Sequence, residues 1–294
     1  MIKAIIDIGT NTFNLLIANN SDSEIKVFHS TKIAVALGMG GITQGIITQS
    51  AIERALIALH EFDKIISGYN VEQVRLIATS AVREASNANE FINRIKEELG
   101  REVEVIDGRE EAQLIYKGVM LCHEVKEPLM IMDIGGGSTE FIQVNAEGIV
   151  SLASFKVGVS RLYQTFPCSD PFSKKDVDTI ERFLNDNTSR FFRDKSIEVL
   201  IGSSGTFETF YELIYGKPFP KSNQSVKIDV DPFLEALDAL IFSSQKERDQ
   251  NDFIIPIRKK MAPFAAVKTR WVIRQLQVKK VFISPYSLKE GAMI

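Results

Sequence analysis

The sequence predicts an α/β protein built from two similar halves that face each other across a cleft. Short apolar, β-branched segments alternate with segments of helical periodicity along most of the chain. A weak internal repeat supports the two halves, because residues 4–13 (AIIDIGTNTF) and 130–141 (MIMDIGGGSTEF) share a strand, Asp-Ile-Gly, a turn and Thr. A third glycine-rich turn, 202–206 (GSSGT), also follows an apolar strand. Turns of this kind at three strand ends predict one shared cleft.

The first predicted domain, residues 1–125, begins with a β-hairpin whose turn is Gly-Thr-Asn-Thr, 9–12. A further turn is expected at 20–24 and a glycine-rich loop at 38–45. Thr48 or Ser50 is expected to cap the helix that follows, and Gly100 to end the next helix. Strands are predicted at 2–6, 15–18, 25–33, 74–78 and 103–106, and helices at 49–67, 88–99 and 109–122.

The second predicted domain, residues 126–285, repeats this beginning with a strand, a glycine turn and a second strand. Residues 216–226 contain two prolines, a glycine and polar residues, so an exposed loop is expected there. Strands are predicted at 129–132, 140–144, 149–157, 198–201 and 278–283, and helices at 173–192, directly after 206, at 231–244 and at 260–277.

The second of the glycine turns carries the strongest chemical signal. Its three consecutive glycines, 135–137, let the backbone approach a ligand closely. Ser138 and Thr139 follow, so N–H and hydroxyl donors are expected together, which suits a phosphate group. Asp133 and Glu140 flank the turn, and carboxylates beside phosphates usually hold a divalent metal. A tight hairpin turn without a ligand is the alternative that this stretch alone leaves open.

The composition is that of an ordinary globular protein. The chain has 294 residues, a hydrophobic content of 45% and a net charge of −3, which excludes a general attraction to nucleic acid. Residues 245–294 are locally basic and predict one wall of an anion site, although a solvated helix face is the alternative. Cys122 and Cys168 lack a disulfide or zinc spacing. With no signal peptide and no membrane-spanning stretch, a cytoplasmic protein is expected.

The chain resembles the exopolyphosphatase and guanosine pentaphosphate phosphohydrolase (Ppx/GppA) family of the actin/Hsp70/sugar-kinase superfold. The resemblance covers nearly the whole chain and rests on six segments: DIGTNTF (7–13), ATSAVREASN (78–87), IDGREEAQLIYKGV (106–119), MDIGGGSTEF (132–141), GSSGT (202–206) and SLKEG (287–291). It implies two actin-like (ribonuclease H-like) domains, each a mixed five-stranded sheet with flanking helices. It also implies the short, two-domain form, whose last residues, about 286–294, pack back on the first domain.

The resemblance assigns the catalytic roles to two residues outside the glycine turns. The family's catalytic glutamate matches Glu111, which would orient a water and accept its proton. Glu110 is the competitor in the sequence, and both could instead be helix N-terminal carboxylates that favour the dipole. Arg83 matches the family's phosphate-binding arginine. A salt bridge from Arg83 to Glu84 or to another surface carboxylate is the alternative.

The resemblance also implies phosphate and metal ligands in the three turns. Asp133 and Glu140 are the expected ligands of Mg²⁺ (or Mn²⁺), and Asp7 is expected either to share the metal or to bond within its turn. One departure concerns the segment 254–264, where Arg258 matches the family but Lys260 occupies a usually acidic position. The expected phosphate-binding residues are Thr10, Asn11, Thr12, Gly135, Gly136, Gly137, Ser138, Thr139, Gly205 and Thr206.

The resemblance therefore predicts a phosphoanhydride hydrolase. It would release terminal orthophosphate from inorganic polyphosphate, convert guanosine pentaphosphate (pppGpp) to the tetraphosphate (ppGpp) of the stringent response, or do both. An actin-like switch that binds nucleotide or polyphosphate with little turnover is the alternative, and it has no need of Glu111. Neither nucleic acid nor a membrane is an expected partner, and a homodimer stays open. Domain closure is expected to hinge near 122–128 and 285–290.

Overall fold

A computed structural model describes residues 1–21 and 24–294 and contains two mixed β-sheets with helices around them. The first sheet has five strands in the order β3-β2-β1-β4-β5; β1 to β3 are antiparallel neighbours, and β4 and β5 run parallel to β1. Its elements are β1 (Ile2–Ile8), β2 (Thr12–Ser21), β3 (Glu24–Ala34), α1 (Gln49–Ser67), β4 (Gln73–Ala78), α2 (Ser80–Arg83), α3 (Ala88–Leu99), β5 (Val103–Val105) and α4 (Gly108–Met120).

The second sheet has six strands in the order β10-β11-β9-β6-β7-β8. Its elements are β6 (Leu129–Ile134), β7 (Thr139–Asn145), β8 (Gly148–Phe155), α5 (Val159–Thr165), α6 (Lys174–Phe192), β9 (Val199–Ser203), α7 (Gly205–Tyr215), β10 (Val226–Ile228), α8 (Val230–Ile241), α9 (Gln245–Gln250), α10 (Ala262–Leu276), β11 (Lys280–Ile283) and α11 (Leu288–Gly291).

The repeat seen in the sequence is a repeat of topology. Each half opens with an antiparallel hairpin, and the first strand of each hairpin takes a parallel strand on its other side, β4 in one sheet and β9 in the other. Asp7 pairs with Asn14 across the first hairpin, and Asp133 pairs with Glu140 across the second. The α/β fold with two mixed sheets is therefore confirmed.

Several local predictions match the structure closely. Helices α1 and α3 occupy the predicted residues, since the Thr48 side chain accepts a hydrogen bond from the Ala51 N–H and Gly100 ends α3 in the left-handed region at φ 64°. The turn predicted at 20–24 includes Asp22 and Ser23, which lie outside the described residues.

Three differences lie in the second half. The sheet has six strands rather than five, because the end of the predicted loop forms β10, where Val226 and Ile228 pair antiparallel with Ile283 and Val281. The helix predicted at 231–244 ends earlier, at Ile241, and Ser244 forms a capping box that starts the separate helix α9 at Gln245. Helix α5 was not predicted, since its seven residues are too short for a clear period.

A shared apolar core joins the two sheets. It contains Ile5, Ile77 and Ile115 from the first half and Ile131 and Ile201 from the second. Two further cores lie on the outer faces of the sheets. In the part of the chain that the structure describes, no helix combines the length and the apolar character needed to cross a membrane.

The C-terminal helix α11 packs against α4 of the first half through two glycines. A Cβ atom on Gly118 would lie 2.0 Å from the Ser287 carbonyl oxygen, and one on Gly291 would lie 1.9 Å from that of Leu114. Side chains at these positions would push the helices apart. The C-terminal segment therefore reaches the first half, while the predicted boundaries 1–125 and 126–285 remain a prediction.

Candidate active site

The first two glycine turns meet in the wall of a cleft of about 310 Å³ between the sheets. A Cβ atom on Gly136 would lie 2.8 Å from Thr10 Cβ and 2.9 Å from Asn11 Cγ, and one on Gly137 would lie 2.4 Å from Ser80 Oγ. Real Cβ atoms do not approach other atoms this closely, so the turns need glycine here. The cleft is lined by residues of all three predicted turns: Thr10, Asn11, Thr12, Gly135, Gly136, Gly137, Ser138, Gly205 and Thr206.

The carbonyl groups of the second turn are held from behind by the start of α5. The Val159 N–H donates to Gly135 O at 3.0 Å, the Ser160 N–H to Gly136 O at 2.9 Å, and the Gly158 N–H to Gly137 O at 3.1 Å. Because C=O and N–H of a trans peptide point in opposite directions, the following N–H groups point away from α5. These residues line the cleft, so the turn presents its donors to an anion there.

The carbonyl groups of the first turn are held in the same way by the segment that follows β3. The Thr10 carbonyl accepts from the Gly38 N–H at 3.0 Å, and the Asn11 carbonyl accepts from Val35 and Ala36 at 3.0 and 2.8 Å. The peptide N–H groups that follow each carbonyl point the other way. Two sets of backbone donors thus converge on the cleft from opposite halves of the molecule, which suits the oxygens of a phosphate chain.

The third turn has a different construction. Ser204 adopts φ 79°, and Gly205 then begins α7. The Arg258 guanidinium donates to the Gly205 carbonyl at 2.6 Å and to Thr209 Oγ1 at 3.1 Å. Thr206 lines the cleft beside them. The helix N-terminus and the guanidinium therefore place positive charge on this wall.

Glu111 lies at the cleft, and Glu110 does not. Asp107 caps α4 by accepting from the N–H groups of Arg109 and Glu110, both at 2.8 Å. The first turn of the helix then directs the Glu110 side chain to solvent, while Glu111 is 7% exposed and lines the cleft. The geometry therefore favours Glu111 over its neighbour as the reacting carboxylate.

Arg83 pairs with Glu111 rather than with Glu84. Its guanidinium donates to Glu111 Oε2 at 2.8 Å and to the Ile106 carbonyl at 3.0 Å. Arg83 is not one of the cleft-lining residues, so in this conformation it contacts the glutamate and not the open space of the cleft. Burial, followed by the charge of Glu140, raises the pKa of Glu111 well above its ordinary value, and Arg83 opposes this rise.

Two aspartates, Asp7 and Asp133, line the cleft. Asp7 accepts a hydrogen bond from Asn14 at 2.9 Å, and Asp133 accepts one from Ser287 Oγ at 2.6 Å. Burial raises the pKa of Asp7 to about 6 and also raises that of Asp133. Asp7 thus makes the bond within its hairpin and also faces the cleft, so both predicted roles are compatible with its position.

Glu140 and Thr139 are buried in β7 and do not line the cleft. Glu140 is 1% exposed and accepts from Ser154 Oγ at 2.7 Å, and burial raises its pKa to about 7. Thr139 is fully buried, and its hydroxyl accepts from Lys268 Nζ at 2.7 Å. Neither residue lines the cleft, although the charge of Glu140 acts on Glu111 and the charge of Asp133, its cross-strand partner, acts on Glu140.

Three cations in the cleft wall were not assigned roles from the sequence. Lys32, Arg258 and Lys289 line the cleft with Asp7, Glu111, Asp133 and Glu208, so four carboxylates stand against three cations. Two signals in the sequence could have identified two of these cations: Lys289 lies in the SLKEG segment, and Arg258 lies in the basic region 245–294. Lys289 pairs with Glu290 at 2.8 Å.

The tryptophan, both cysteines and two of the histidines lie outside the cleft. Trp271 and Cys122 are buried, and Cys168 is half-buried. His123 bonds Ser225 at 2.7 Å, and His29 lies 3.5 Å from the Tyr69 hydroxyl. Among the described residues, no three histidine, cysteine, aspartate or glutamate side chains converge on one metal position.

The family model for the Ppx/GppA phosphatase family matches residues 16–294. The chain belongs to the Ppx/GppA phosphatase family. A crystal structure of an exopolyphosphatase from Cytophaga hutchinsonii is similar to it, with 35% sequence identity, 99% of this chain and 96% of that chain covered, and a TM-score of 0.93. A Ppx/GppA enzyme from Aquifex aeolicus is also similar, with 26% identity, 100% and 98% covered, and a TM-score of 0.84.

Membership of the Ppx/GppA family identifies the chain as a phosphoanhydride hydrolase and confirms the resemblance seen in the sequence. Its sheets are those of the actin-like Ppx/GppA structures. The family also accounts for the placement of donors, carboxylates and cations around one cleft. The roles of the individual residues remain predictions.

Proposed function

We propose that this Ppx/GppA protein is an exopolyphosphatase that releases orthophosphate from the end of inorganic polyphosphate. The observation that carries the proposal is the buried Glu111 carboxylate, which faces the cleft and is held by Arg83 at 2.8 Å. The Cytophaga hutchinsonii relative, which is an exopolyphosphatase, supports the choice of substrate. An actin-like binding switch would gain nothing from a buried, paired glutamate at this place.

In the proposed reaction, Glu111 orients a water in line with the terminal phosphorus and accepts its proton. A raised pKa makes the carboxylate a better proton acceptor, and the Arg83 guanidinium keeps enough of it ionised. The N–H groups of the two hairpin turns bind the oxygens of the terminal phosphates and stabilise charge that develops on them. Arg258 and Lys289 bind the oxygens of the departing chain, because both are cations of the cleft wall.

A divalent cation fits the donor set. The cleft wall carries Asp7, Glu111, Asp133 and Glu208 against three cations, so a polyphosphate anion needs further positive charge there. Asp7 and Asp133 would hold Mg²⁺ (or Mn²⁺) together with phosphate oxygens and waters, the coordination that Mg²⁺ prefers. When bound, the ion would neutralise phosphate charge. Glu140 does not line the cleft and would support the metal site indirectly, through hydrogen bonds with neighbouring residues.

Conversion of pppGpp to ppGpp is the second candidate activity. Both substrates end in a phosphoanhydride, and the same turns would bind it. Tyr286 is the aromatic side chain among the described residues that line the cleft, and an aromatic ring offers a guanine base a stacking surface. We also propose that residues 1–125 and 126–285 form two domains that close around the substrate.

The test is phosphate release from polyphosphates of several lengths and from pppGpp, each with and without Mg²⁺. Release from polyphosphate by the wild type, its loss in Glu111→Gln and its retention in the matched variant Glu110→Gln would support the proposal. Tight binding of polyphosphate without release by the wild type would favour the switch. Release from pppGpp alone would make the second activity the principal one.

A further inference from the structure

Arg161 on α5 joins three segments that belong to different parts of the site. Its guanidinium donates to Glu84 Oε2 at 2.8 Å, to the Ile42 carbonyl at 3.1 Å and to the Gly137 carbonyl at 3.3 Å. Glu84 and Ile42 belong to the first half, and Gly137 is part of the second phosphate turn. Only 15% of the Arg161 side chain is exposed. The planar guanidinium presents its N–H donors as a rigid fork that reaches separate acceptors, whereas an ammonium group donates from a single nitrogen atom.

Glu84 is prepared to receive this guanidinium. It directly follows Arg83, and its side chain is 11% exposed. Ser80 Oγ donates to one of its oxygens at 2.8 Å, and Lys156 lies 3.0 Å from the other. Burial alone would raise the pKa of Glu84, but these bonds and the Arg161 charge outweigh it and hold the pKa below its ordinary value. Glu84 is therefore an ionised partner fixed at the end of α2.

A second side chain of α5 extends the same contact. Gln164, one turn after Arg161, donates to the Gly38 carbonyl and accepts from the Gly40 N–H, both at 3.0 Å. The face of α5 formed by these two residues therefore spans the loop at 38–45 and α2. The start of the same helix holds the carbonyls of the second phosphate turn. One short helix thus fixes the distance between the turn and the Arg83 segment.

We propose that Arg161 is a positioning residue that holds the second phosphate turn against the α2 segment carrying Arg83. Its contacts to Glu84 and Ile42 join the two halves, so separation of the halves would break them. Through Arg83, they set the position of Glu111 relative to the phosphate bound by the turn. The consequence for catalysis rests on the proposed hydrolysis, whereas the consequence for closure rests only on the proposed movement of the two halves.

The test compares Arg161→Gln, Arg161→Lys and Glu84→Gln with a matched control, Arg182→Gln. Arg182 is an exposed arginine of α6 in the same half. Phosphate release from tripolyphosphate gives kcat and KM. Spin labels at Ile57→Cys on α1 and Asp186→Cys on α6, both exposed, in a Cys168→Ser background report the distance between the halves. Thermal unfolding identifies variants that have merely lost stability.

We expect Arg161→Gln and Arg161→Lys to lower kcat roughly tenfold to a hundredfold, the range for a misplaced reacting group, with a smaller change in KM. Both variants should lengthen or broaden the distance distribution without substrate, while Arg182→Gln should match the wild type. If Arg161 acts through Glu84, the double variant Arg161→Gln/Glu84→Gln should lose little more kcat than Arg161→Gln alone. The positive charge of a lysine does not replace the three hydrogen bonds of the guanidinium, so Arg161→Lys should not restore the wild-type distance between the halves.

Wild-type kcat and an unchanged distance distribution in a folded Arg161→Gln protein would overturn the proposal. A loss of kcat of the expected size in Arg161→Gln with no change in the distance between the halves would also overturn it, because the residue would then act locally. If Arg161→Gln does not fold, Glu84→Gln provides the same two readouts. If the wild type releases no phosphate, the proposed function fails, and the distances alone decide the role of Arg161 in closure.

Discussion

Gly136→Ala tests whether the two hairpin turns must touch. The new Cβ atom would lie 2.8 Å from Thr10 Cβ and 2.9 Å from Asn11 Cγ, whereas carbon atoms in contact lie about 3.5–4.0 Å apart. The turns must therefore separate by about 1 Å. Because a displacement of about 1 Å in an active site can lower the rate about 100-fold, kcat/KM for tripolyphosphate should fall by up to that factor.

The matched control is Gly68→Ala at the end of α1. There the nearest atom to the new Cβ is the Ile65 carbonyl oxygen at 3.3 Å, and φ is an ordinary −79°. Phosphate release and thermal unfolding are measured for both variants. Gly136→Ala should lose activity much more than stability, and Gly68→Ala should keep its activity. Wild-type kcat/KM in a folded Gly136→Ala protein would refute the close contact of the turns as a condition of catalysis.

Two further predictions concern metal and pH. Mg²⁺ at ten times its Kd should stabilise the wild type by about 1.4 kcal/mol, which is measured as a higher Tm. The variant Asp133→Asn should lose this increase in Tm. An undiminished increase would show that Asp133 is not a ligand of the metal. Burial lowers the pKa of Lys268 from 10.5 to about 7, so the folded state binds fewer protons than the unfolded state between these values. Stability should therefore rise with pH from about 7 to 10.5, by up to about 5 kcal/mol. Lys268→Met should flatten this rise in urea unfolding measured across that range, and an unchanged slope would contradict the assignment.

Local sequence signals were enough for the two hairpins and for helices α1 and α3. Asp7 and Asp133 mark equivalent strand ends, and α1 and α3 carry clear start or stop residues. By contrast, β10 is a three-residue edge strand whose partner is β11, more than 50 residues further along the chain. Such a pairing is decided by tertiary contacts, which a local pattern does not contain.

The site shows the same division between local and distant determinants. Proximity of Glu111 to the glycine turns followed from the family resemblance, whereas its pairing with Arg83 became visible only in the fold. Thr139 and Glu140 adjoin the second turn in sequence, but both are buried in β7, where successive side chains point to opposite faces of the sheet, and neither lines the cleft. Lys289 enters the cleft because α11 returns to the first half, a contact that sequence spacing does not reveal.

The most direct test of the proposed chemistry is the rate of orthophosphate release from tripolyphosphate by Glu111→Gln, with Glu110→Gln as the control. Glutamine keeps the shape of the side chain and a hydrogen-bond acceptor for Arg83, but it cannot take up the proton of the attacking water. Kcat should fall by roughly 100-fold to 10,000-fold with substrate binding retained, the usual contribution of a general base. Wild-type kcat in a folded Glu111→Gln protein would contradict the assignment of the water-activating role to this residue.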